Sequence, residues 1–482
     1  MSHRTAPRTA ASLAALLLAA ATVAGCSDLT SPNEDNEDLS ELTQNPTPEL
    51  VNAGVQGMLI TNSAYMAAPN GYVVMLGILG RTAYNLDIAD PRFVTSTLQT
   101  DLDPAGGAFG GNFWSQPYSN LQAGDRVLTG VEGLSSDEMS DAQKEGVRGF
   151  VKTFQALELL TIVSTRDTEC DGTLGCPIEA PEDPSELAPA LEREAVYDEI
   201  VDLLAEARGH LANAGDSFSF QLPLTFQGFD TPATFMEANW ALEARVRVYR
   251  GSLDIGDGAT AEFQAALDAL ENSFVDQGAP MDLGIANAYG SGSGDVQNSL
   301  FQPSTSPNAR AHPSVRGQAE EGDARVAEKT RDINDRSFQE VSSDVGFDMY
   351  NSIDAPIPII RNEELILLRA EANIGLGNLE DAEGDINFIR EDVAGLDPIE
   401  FDGGTTQQEA LITLLYEKRY SLLFEGGHWW IDTRRYGFDA PAGEGFRPAP
   451  EGGSGLLFVD PEPNDVLNSE FPIPINEQLA RE

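Results

Sequence analysis

Basic residues, histidine and cysteine are scarce in this chain, and each shortage excludes a class of function. The 482 residues include 29 lysines and arginines, and the only lysines are Lys144, Lys152, Lys329 and Lys418. With so little positive charge, the surface is not expected to bind nucleic acid or anionic lipid. Beyond residue 26, no apolar run reaches the ~20 residues that a membrane-spanning helix needs.

Catalytic signatures are missing as well. The chain has no Gly-x-Ser-x-Gly, no His-Glu-x-x-His, no phosphate loop and no dinucleotide fingerprint. His210, His312 and His428 lie far apart in the sequence and are predicted to be surface or packing residues. We therefore predict no catalytic residue, no metal ion and no cofactor, and expect that the protein is not an enzyme.

Acidic residues, in contrast, are abundant. The chain has 78 aspartates and glutamates, which give it a formal net charge of −49. Such a composition is typical of proteins adapted to high salt, but solvated acidic helix faces explain it equally well. Because carboxylates are so frequent, a pair at the spacing of a glycoside hydrolase is expected by chance and distinguishes no site.

The first 26 residues have the pattern of an export signal. Two arginines precede an apolar run over residues 13–24, which ends in small residues followed by Cys26. The pattern predicts a secretory signal peptide over residues 1–25. The cysteine after small residues resembles the lipobox of bacterial lipoproteins, so we predict that Cys26 is lipidated and that residues 26–45 form a flexible acidic tether. An ordinary cleaved signal and an uncleaved anchor remain alternatives.

The other two cysteines, Cys170 and Cys176, enclose a short Gly-containing loop. In an exported protein a disulfide between them is the expected state. A metal site would need a second Cys/His pair, and a redox site would favour Cys-x-x-Cys.

Helical periodicity dominates from residue 140 onward. It predicts helices over residues 140–163, 193–212, 234–250, 259–273, 363–376, 378–390 and 407–424. Ala370 and Ala382 lie on adjacent predicted helices at the spacing of a tetratricopeptide helix–turn–helix, with Gly375 and Gly377 between them. We predict a mainly α fold, a divergent tetratricopeptide-like scaffold of helical pairs (an α-α superhelix).

Three long segments lack this rhythm and are rich in Gly, Pro, Ser and Asn, at about 66–114, 213–232 and 275–358. We predict that they are loop-rich insertions, forming a lobe on a single body over residues 46–482. Short β pieces are expected within them, at Tyr72–Leu76 and Phe218–Phe226.

The loops also contain aromatic residues beside amides and charges. Trp114, Tyr118, Tyr289 and Arg310 are the candidate ligand-binding residues. Aromatic faces suit the C–H faces of sugars, and polar side chains can hydrogen-bond hydroxyls. The alternative is that these aromatic rings fill the core of the loop lobe.

The C-terminal third contains several stretches that belong together. They are Ile359–Ala372, Asp385–Arg390, Glu417–Arg419, Phe424–His428, Trp430–Gly437 and Phe471–Pro474. In combination they resemble the signatures of the SusD/RagB family, the lipid-anchored nutrient-binding proteins of Bacteroidetes and related bacteria. One departure is Trp429, where the family usually has arginine. An Arg–carboxylate contact is then either missing or replaced by stacking on a neighbouring arginine.

The resemblance implies a role for these motifs and for the whole chain. Glu417, Arg419, Asp432 and Arg435 are expected to form structural ion pairs rather than to contact ligand. The protein would be held at the outer membrane, on the cell surface, by its lipid. There it would capture an oligosaccharide or a peptide and deliver it to a TonB-dependent, SusC-like transporter. The alternatives are a helical-repeat lipoprotein that scaffolds an envelope complex without binding nutrient, and a secreted glycoside hydrolase.

Overall fold

The computed structural model describes residues 39–105, 109, 112–171, 174–181, 186–438 and 466–482. The predicted signal peptide, Cys26 and the tether up to residue 38 lie outside the described residues. The rest of the predicted tether is not flexible coil: helix α1 spans Leu39–Gln44, and Leu42 is buried. A Cβ at Gly130 would lie 2.6 Å from the Leu42 Cδ2 atom, so the glycine is what lets α1 pack here.

The first predicted loop segment, 66–114, contains more regular structure than expected. Helix α2 (Pro48–Ala67) leads into α3 (Tyr72–Leu79), strand β1 (Ala83–Asn85) and α4 (Arg92–Thr95). The strand predicted at Tyr72–Leu76 is wrong, because these residues belong to α3, and all of α3 is buried. A run that is apolar on every side has no period, so local pattern cannot distinguish a buried helix from a buried strand.

A series of long helices follows. It consists of α5 (Asn112–Gly133), α6 (Asp141–Cys170), α7 (Arg193–Leu211), α8 (Pro232–Leu253) and α9 (Ala259–Glu271), with strands β2 (Cys176–Pro177) and β3 (Ala190–Leu191) between α6 and α7. The predicted helices that begin near 140, 193, 234 and 259 are confirmed. Helix α5 was not predicted, since Pro117 and its glycines lower helix propensity. One of these glycines, Gly124, allows α5 to pack closely on α6, because a Cβ at this position would lie 3.1 Å from Val151.

The segment from residue 275 to 361 is the lobe of short strands. It contains β4 (Gly284–Asn287), β5 (Ala309–Ala311), α10 (Ser314–Gly317), α11 (Ala324–Lys329), β6 (Thr330–Phe338), β7 (Val341–Phe347) and β8 (Ile357–Arg361). The strands form antiparallel pairs β1–β5, β2–β3, β4–β8 and β6–β7. Pairing of β1 with β5 ties the lobe to the N-terminal part of the chain, and β8 leads directly into the first C-terminal helix.

The β piece predicted at Phe218–Phe226 is also wrong. The only regular element there is a 3₁₀ turn at Leu224–Phe226. Phe218, Phe220 and Phe226 instead pack around Phe150 of α6, with ring centroids 5.0–6.3 Å from the Phe150 ring. Burial of aromatic rings against a helix, rather than strand pairing, shapes this segment.

The C-terminal helices are α12 (Asn362–Leu376), α13 (Leu379–Phe388), α14 (Gln407–Ser421), α15 (His428–Thr433) and α16 (Ile475–Arg481). Ala370 and Ala382 are fully buried where α12 and α13 pack together, as the tetratricopeptide-like spacing predicts. Gly377 caps α12 in the left-handed conformation, at φ +79°. Gly375 lies inside α12 instead, where a Cβ would come within 2.3 Å of the Phe263 ring on α9.

Neighbouring helices pack in chain order, α5 on α6, α6 on α7, α7 on α8 and α8 on α9, and α9 then packs on α12. The predicted mainly helical, tetratricopeptide-like architecture is confirmed. In the described part of the chain, no helix is both long enough and apolar enough to cross a membrane.

Eleven of the 25 arginines are buried in the described part of the chain. Buried examples are Arg81, Arg166, Arg245, Arg250, Arg310, Arg325, Arg361, Arg390, Arg419, Arg434 and Arg435. Arg245 forms an ion pair with Glu364 at 2.6 Å, and Arg390 pairs with Glu417 at the same distance. Because buried charges need such partners, the positive charges are drawn into the interior and the surface is left strongly acidic.

Candidate ligand-binding site

Tyr289 is held at the edge of the strand lobe by its own hydroxyl. The residue follows β4 directly, and its Oη donates a hydrogen bond to the Ser63 carbonyl on α2 at 3.0 Å. Burial raises the pKa of Tyr289, so the hydroxyl stays neutral and keeps this bond. The ring is therefore fixed between the lobe and the N-terminal helices.

The loop after Tyr289 is closed by its own backbone. The Gly290 amide donates to the Val296 carbonyl at 2.8 Å, and the Asp295 carboxylate accepts from the Gly292 amide at 2.8 Å. A Cβ at Gly290 would lie 2.3 Å from Asp295 Oδ2, so this close approach requires glycine.

Tyr289 lines an open cavity of about 490 Å³, which we call the Tyr289 groove. Its walls are one face of α2, the 3₁₀ turn Leu224–Phe226, and the end of β4 with the following loop. Two large apolar side chains on these walls face solvent: Leu224 is 88% exposed and Ile60 is 47% exposed. The groove thus combines one fixed aromatic ring with apolar surface that the protein itself leaves uncovered.

Among the polar groups of the groove are a buried amide and two carboxylates. Asn287 is only 2% exposed, and its Oδ1 accepts a hydrogen bond from Ser63 Oγ at 3.2 Å. Its Nδ2 has no hydrogen-bond partner among the described residues. Asp295 and Asp354 lie on the same groove, and both are exposed. This set can donate to and accept from hydroxyl groups.

Trp114 and Tyr118 lie at a different cavity, of about 270 Å³, which we call the Trp114 cavity. Their rings meet edge to face, with centroids 4.9 Å apart, and Tyr118 Oη donates to the Pro177 carbonyl at 2.7 Å. The guanidinium of Arg166 covers the Trp114 ring, with Cζ 5.4 Å from its centroid. Both aromatic residues are largely enclosed by the protein, and Trp114 contributes mainly to the core.

Arg310 is not available to a ligand, and its prediction as a ligand-binding residue is corrected here. Its relative exposure is 0%, and it lies on β5 opposite Tyr84. Its guanidinium donates to the carbonyls of Pro307, Asn334 and Ser343. Hydrogen bonds to these carbonyls use the donors that a sugar would need, so Arg310 instead holds the strand lobe together.

Of the four candidate residues, the structure brings together only Trp114 and Tyr118. Tyr289 is at a separate groove and Arg310 is at neither cavity. Sequence reasoning missed Ile60, Leu224 and Asn287, because they come from three distant parts of the chain. Of the groove residues that were missed, only Asp295 could have been found from the sequence, because it follows Tyr289 in the same Gly-rich loop.

The cysteine that ends α6 is joined to the first residue of β2. Cys170 and Cys176 form a disulfide, after which Pro177 begins the wall of the Trp114 cavity. Among the residues that the structure describes, no group of histidine, cysteine, aspartate and glutamate side chains could hold a metal ion.

The C-terminal motif residues are buried and mostly paired. Glu417 contacts Arg325 at 2.8 Å, and Asp432 contacts Lys418 at 2.8 Å and Arg435 at 2.7 Å. Arg419 differs from the expectation, because no carboxylate in the described part of the chain pairs with it. Its guanidinium donates to Gln318 and Ser314. The motif is therefore structural, as predicted, but Arg419 takes part through neutral partners.

Comparison with known proteins finds structures with the same architecture. Residues 333–466 match the model of the SusD family. A SusD superfamily protein from Parabacteroides distasonis superposes with a TM-score of 0.63 at 16% identity, covering 90% of this chain and 97% of that one. This chain is therefore similar to the SusD family over residues 333–466 and shares the fold of SusD superfamily structures.

Other SusD structures are similar over comparable lengths. A SusD-like carbohydrate binding protein from Bacteroides vulgatus has a TM-score of 0.62 at 16% identity and covers 90% and 96% of the two chains. NanU from B. fragilis has a TM-score of 0.58 at 15% identity and covers 83% and 92%. No curated protein sequence matches this chain significantly. At these identities the likeness establishes the SusD fold and leaves the ligand to be argued from the groove.

Proposed function

We propose that this protein is a cell-surface lipoprotein that captures an oligosaccharide and delivers it to a TonB-dependent, SusC-like outer-membrane transporter. It would bind its cargo without breaking bonds. The proposal rests on one observation: a SusD scaffold carries a groove with a fixed tyrosine ring, exposed apolar walls and unsatisfied polar groups. We propose a single body over residues 46–482, attached to the outer membrane through lipidated Cys26.

The chemistry of the groove favours a sugar. A pyranose has an apolar C–H face, which can pack on the Tyr289 ring and on Leu224, and a rim of hydroxyls, which can reach Asn287 and the two aspartates. The volume of the groove lies within the range of ~300–1,000 Å³ that is typical of small-ligand sites. The carbohydrate-binding description of the B. vulgatus relative supports the same ligand class.

Calorimetric titration of a broad oligosaccharide panel tests the proposal. Tyr289→Ala should weaken binding by roughly 1–3 kcal/mol, because the ring loses its contact with the sugar face. Tyr289→Phe keeps the ring and should retain most of the affinity. Tyr118→Ala is the matched control, since Tyr118 is also a tyrosine at a cavity whose hydroxyl donates to a carbonyl.

The result also selects among the alternatives. Binding of peptides and of no oligosaccharide would remove the sugar from the proposal. Loss of affinity in Tyr118→Ala and not in Tyr289→Ala would move the site to the Trp114 cavity. If neither oligosaccharides nor peptides bind, the result would favour the scaffolding role.

Anchoring and delivery need separate measurements. Metabolic labelling with a fatty acid should mark the wild type and not Cys26→Ser. Affinity purification of the lipidated protein from detergent-solubilised outer membranes should recover a TonB-dependent transporter in stoichiometric amount. An unlabelled wild type, or recovery of other envelope proteins without a transporter, would contradict this part of the proposal.

A further inference from the structure

The Tyr289 groove carries negative charge and no positive charge. Asp295 and Asp354 line it, and none of its lining residues in the described part of the chain is lysine, arginine or histidine. Asp295 accepts from the Gly292 amide, and Asp354 accepts from Ser352 Oγ. These neutral donors leave the charge of each carboxylate uncompensated.

A second observation shows that the groove is built for a polar ligand. Asn287 is almost fully buried at the base of the groove, and its Nδ2 has no acceptor among the described residues. A buried amide donor without a partner costs free energy, which a ligand oxygen can offset. Asn287 also borders a smaller cavity of about 50 Å³, where a water molecule is the competing acceptor.

The charge on the rest of the protein surface also disfavours anionic ligands. The buried arginines are matched in number by buried aspartates and glutamates, so the exposed surface carries most of the net charge of −49. The Trp114 cavity provides a contrast within the same chain, because Arg481 lies there beside its glutamates. An anionic ligand therefore meets repulsion at long range and again inside the Tyr289 groove.

We infer that the Tyr289 groove selects against acidic ligands: it takes saccharides without carboxylate or sulfate groups and rejects their uronate counterparts. This inference rests on the proposed function and names its ligand class. Each carboxylate within a few ångströms of a ligand anion repels it modestly in water, and two act together. We expect about tenfold weaker binding of a uronate than of the neutral sugar on the same backbone at low salt.

The test uses the mature full-length protein and matched probes. These are malto-, cello- and β-1,4-manno-oligosaccharides, their C6-oxidised uronates, and the methyl esters of those uronates. The methyl ester has nearly the size of the uronate without its charge, so it should bind like the neutral parent. The discrimination between uronate and neutral sugar should shrink as salt rises, because salt screens exposed charges.

Two double variants test whether the carboxylates of the Tyr289 groove cause the discrimination against uronates. Asp295→Asn with Asp354→Asn should reduce the discrimination to about threefold or less, measured as the ratio of the two affinities in the same variant, so that a lost hydroxyl contact common to both sugars cancels. Glu179→Gln with Glu186→Gln removes the same charge at the Trp114 cavity and should leave the discrimination unchanged. Uronates that bind as tightly as their neutral parents would overturn this inference alone. Failure of every oligosaccharide to bind would overturn the proposed function, and this inference with it.

Discussion

The guanidinium of Arg419 lies over the indole ring of Trp429, with Cζ 5.0 Å from the ring centroid. Arg419 is buried and has no carboxylate partner in the described part of the chain, and burial lowers its pKa. The tryptophan stands where related sequences usually have arginine. The structure thus resolves the alternative posed by the sequence: stacking on a neighbouring arginine is present at this position.

This contact predicts how residue 429 responds to substitution. Trp429→Ala should lower the free energy of unfolding by about 1–3 kcal/mol, because both the cation–π contact and the packing of the ring are lost. Trp429→Phe keeps an aromatic face and should cost less than about 1 kcal/mol. Urea denaturation measures both values. Equal stability of wild type and Trp429→Ala would contradict a stabilising role for the stack.

Glu158 should make the stability of the folded protein depend on pH. Burial raises its pKa to about 7, although Asn120, Tyr65 and Asn62 donate hydrogen bonds to it. The folded protein therefore holds a proton that the unfolded chain, with the ordinary value of 4.5, releases earlier. The contribution of Glu158 to stability should fall as pH rises from about 4.5 to about 7 and stay low above that.

Glu158→Gln isolates this titration, because the amide carries no ionisable proton. The stability of the variant relative to wild type should increase by about 2–3 kcal/mol between pH 4.5 and 7.5, in denaturation series at matched ionic strength. A constant difference across this range would show that Glu158 titrates normally.

The contribution of Glu425 to stability should change with pH in the opposite direction. Burial alone would raise its pKa, but the charges of Arg361 and Lys329 outweigh burial and lower the pKa to about 2. Its contribution to stability is present above the ordinary value of 4.5 and should be lost as pH falls toward 2.

Glu425→Gln should cost about 3 kcal/mol at neutral pH, because two buried cations lose a partner. The control is Glu320→Gln: Glu320 pairs with Arg390, but its side chain is 46% exposed, and we expect less than about 1 kcal/mol. Chemical denaturation at pH 7 compares the two variants. Similar losses from both would mean that burial does not set the strength of these pairs.

The disulfide predicts a redox-dependent stability. It closes a loop with a sequence separation of 6 between Cys170 and Cys176. In the chain-entropy picture, closing so short a loop stabilises the folded state by about 2 kcal/mol. Replacing both cysteines by serine should cost about this amount, and adding reductant should destabilise wild type and leave the double variant unchanged. A wild type insensitive to reductant during unfolding would contradict the prediction.

Sequence reasoning succeeded where the relevant interactions are local. Helices α6 to α9 and α12 to α14 have apolar residues at helical spacing, and these residues are buried in the scaffold. It failed at α3, whose residues are apolar throughout, and at Phe218–Phe226, where contacts with Phe150 override any local preference. In both segments the deciding partners are residues far away in the sequence.

By itself, then, the sequence determined the order of the helical pairs, the resemblance to the SusD/RagB family and the strong acidity of the chain, since each depends on nearby residues or on composition. The tertiary structure alone decided which residues form the groove. It brought Ile60, Leu224 and Tyr289 together across almost half of the chain and buried Arg310 under backbone carbonyls. Local spacing encodes a helix because the helical period is short, whereas a groove forms only after distant elements have packed.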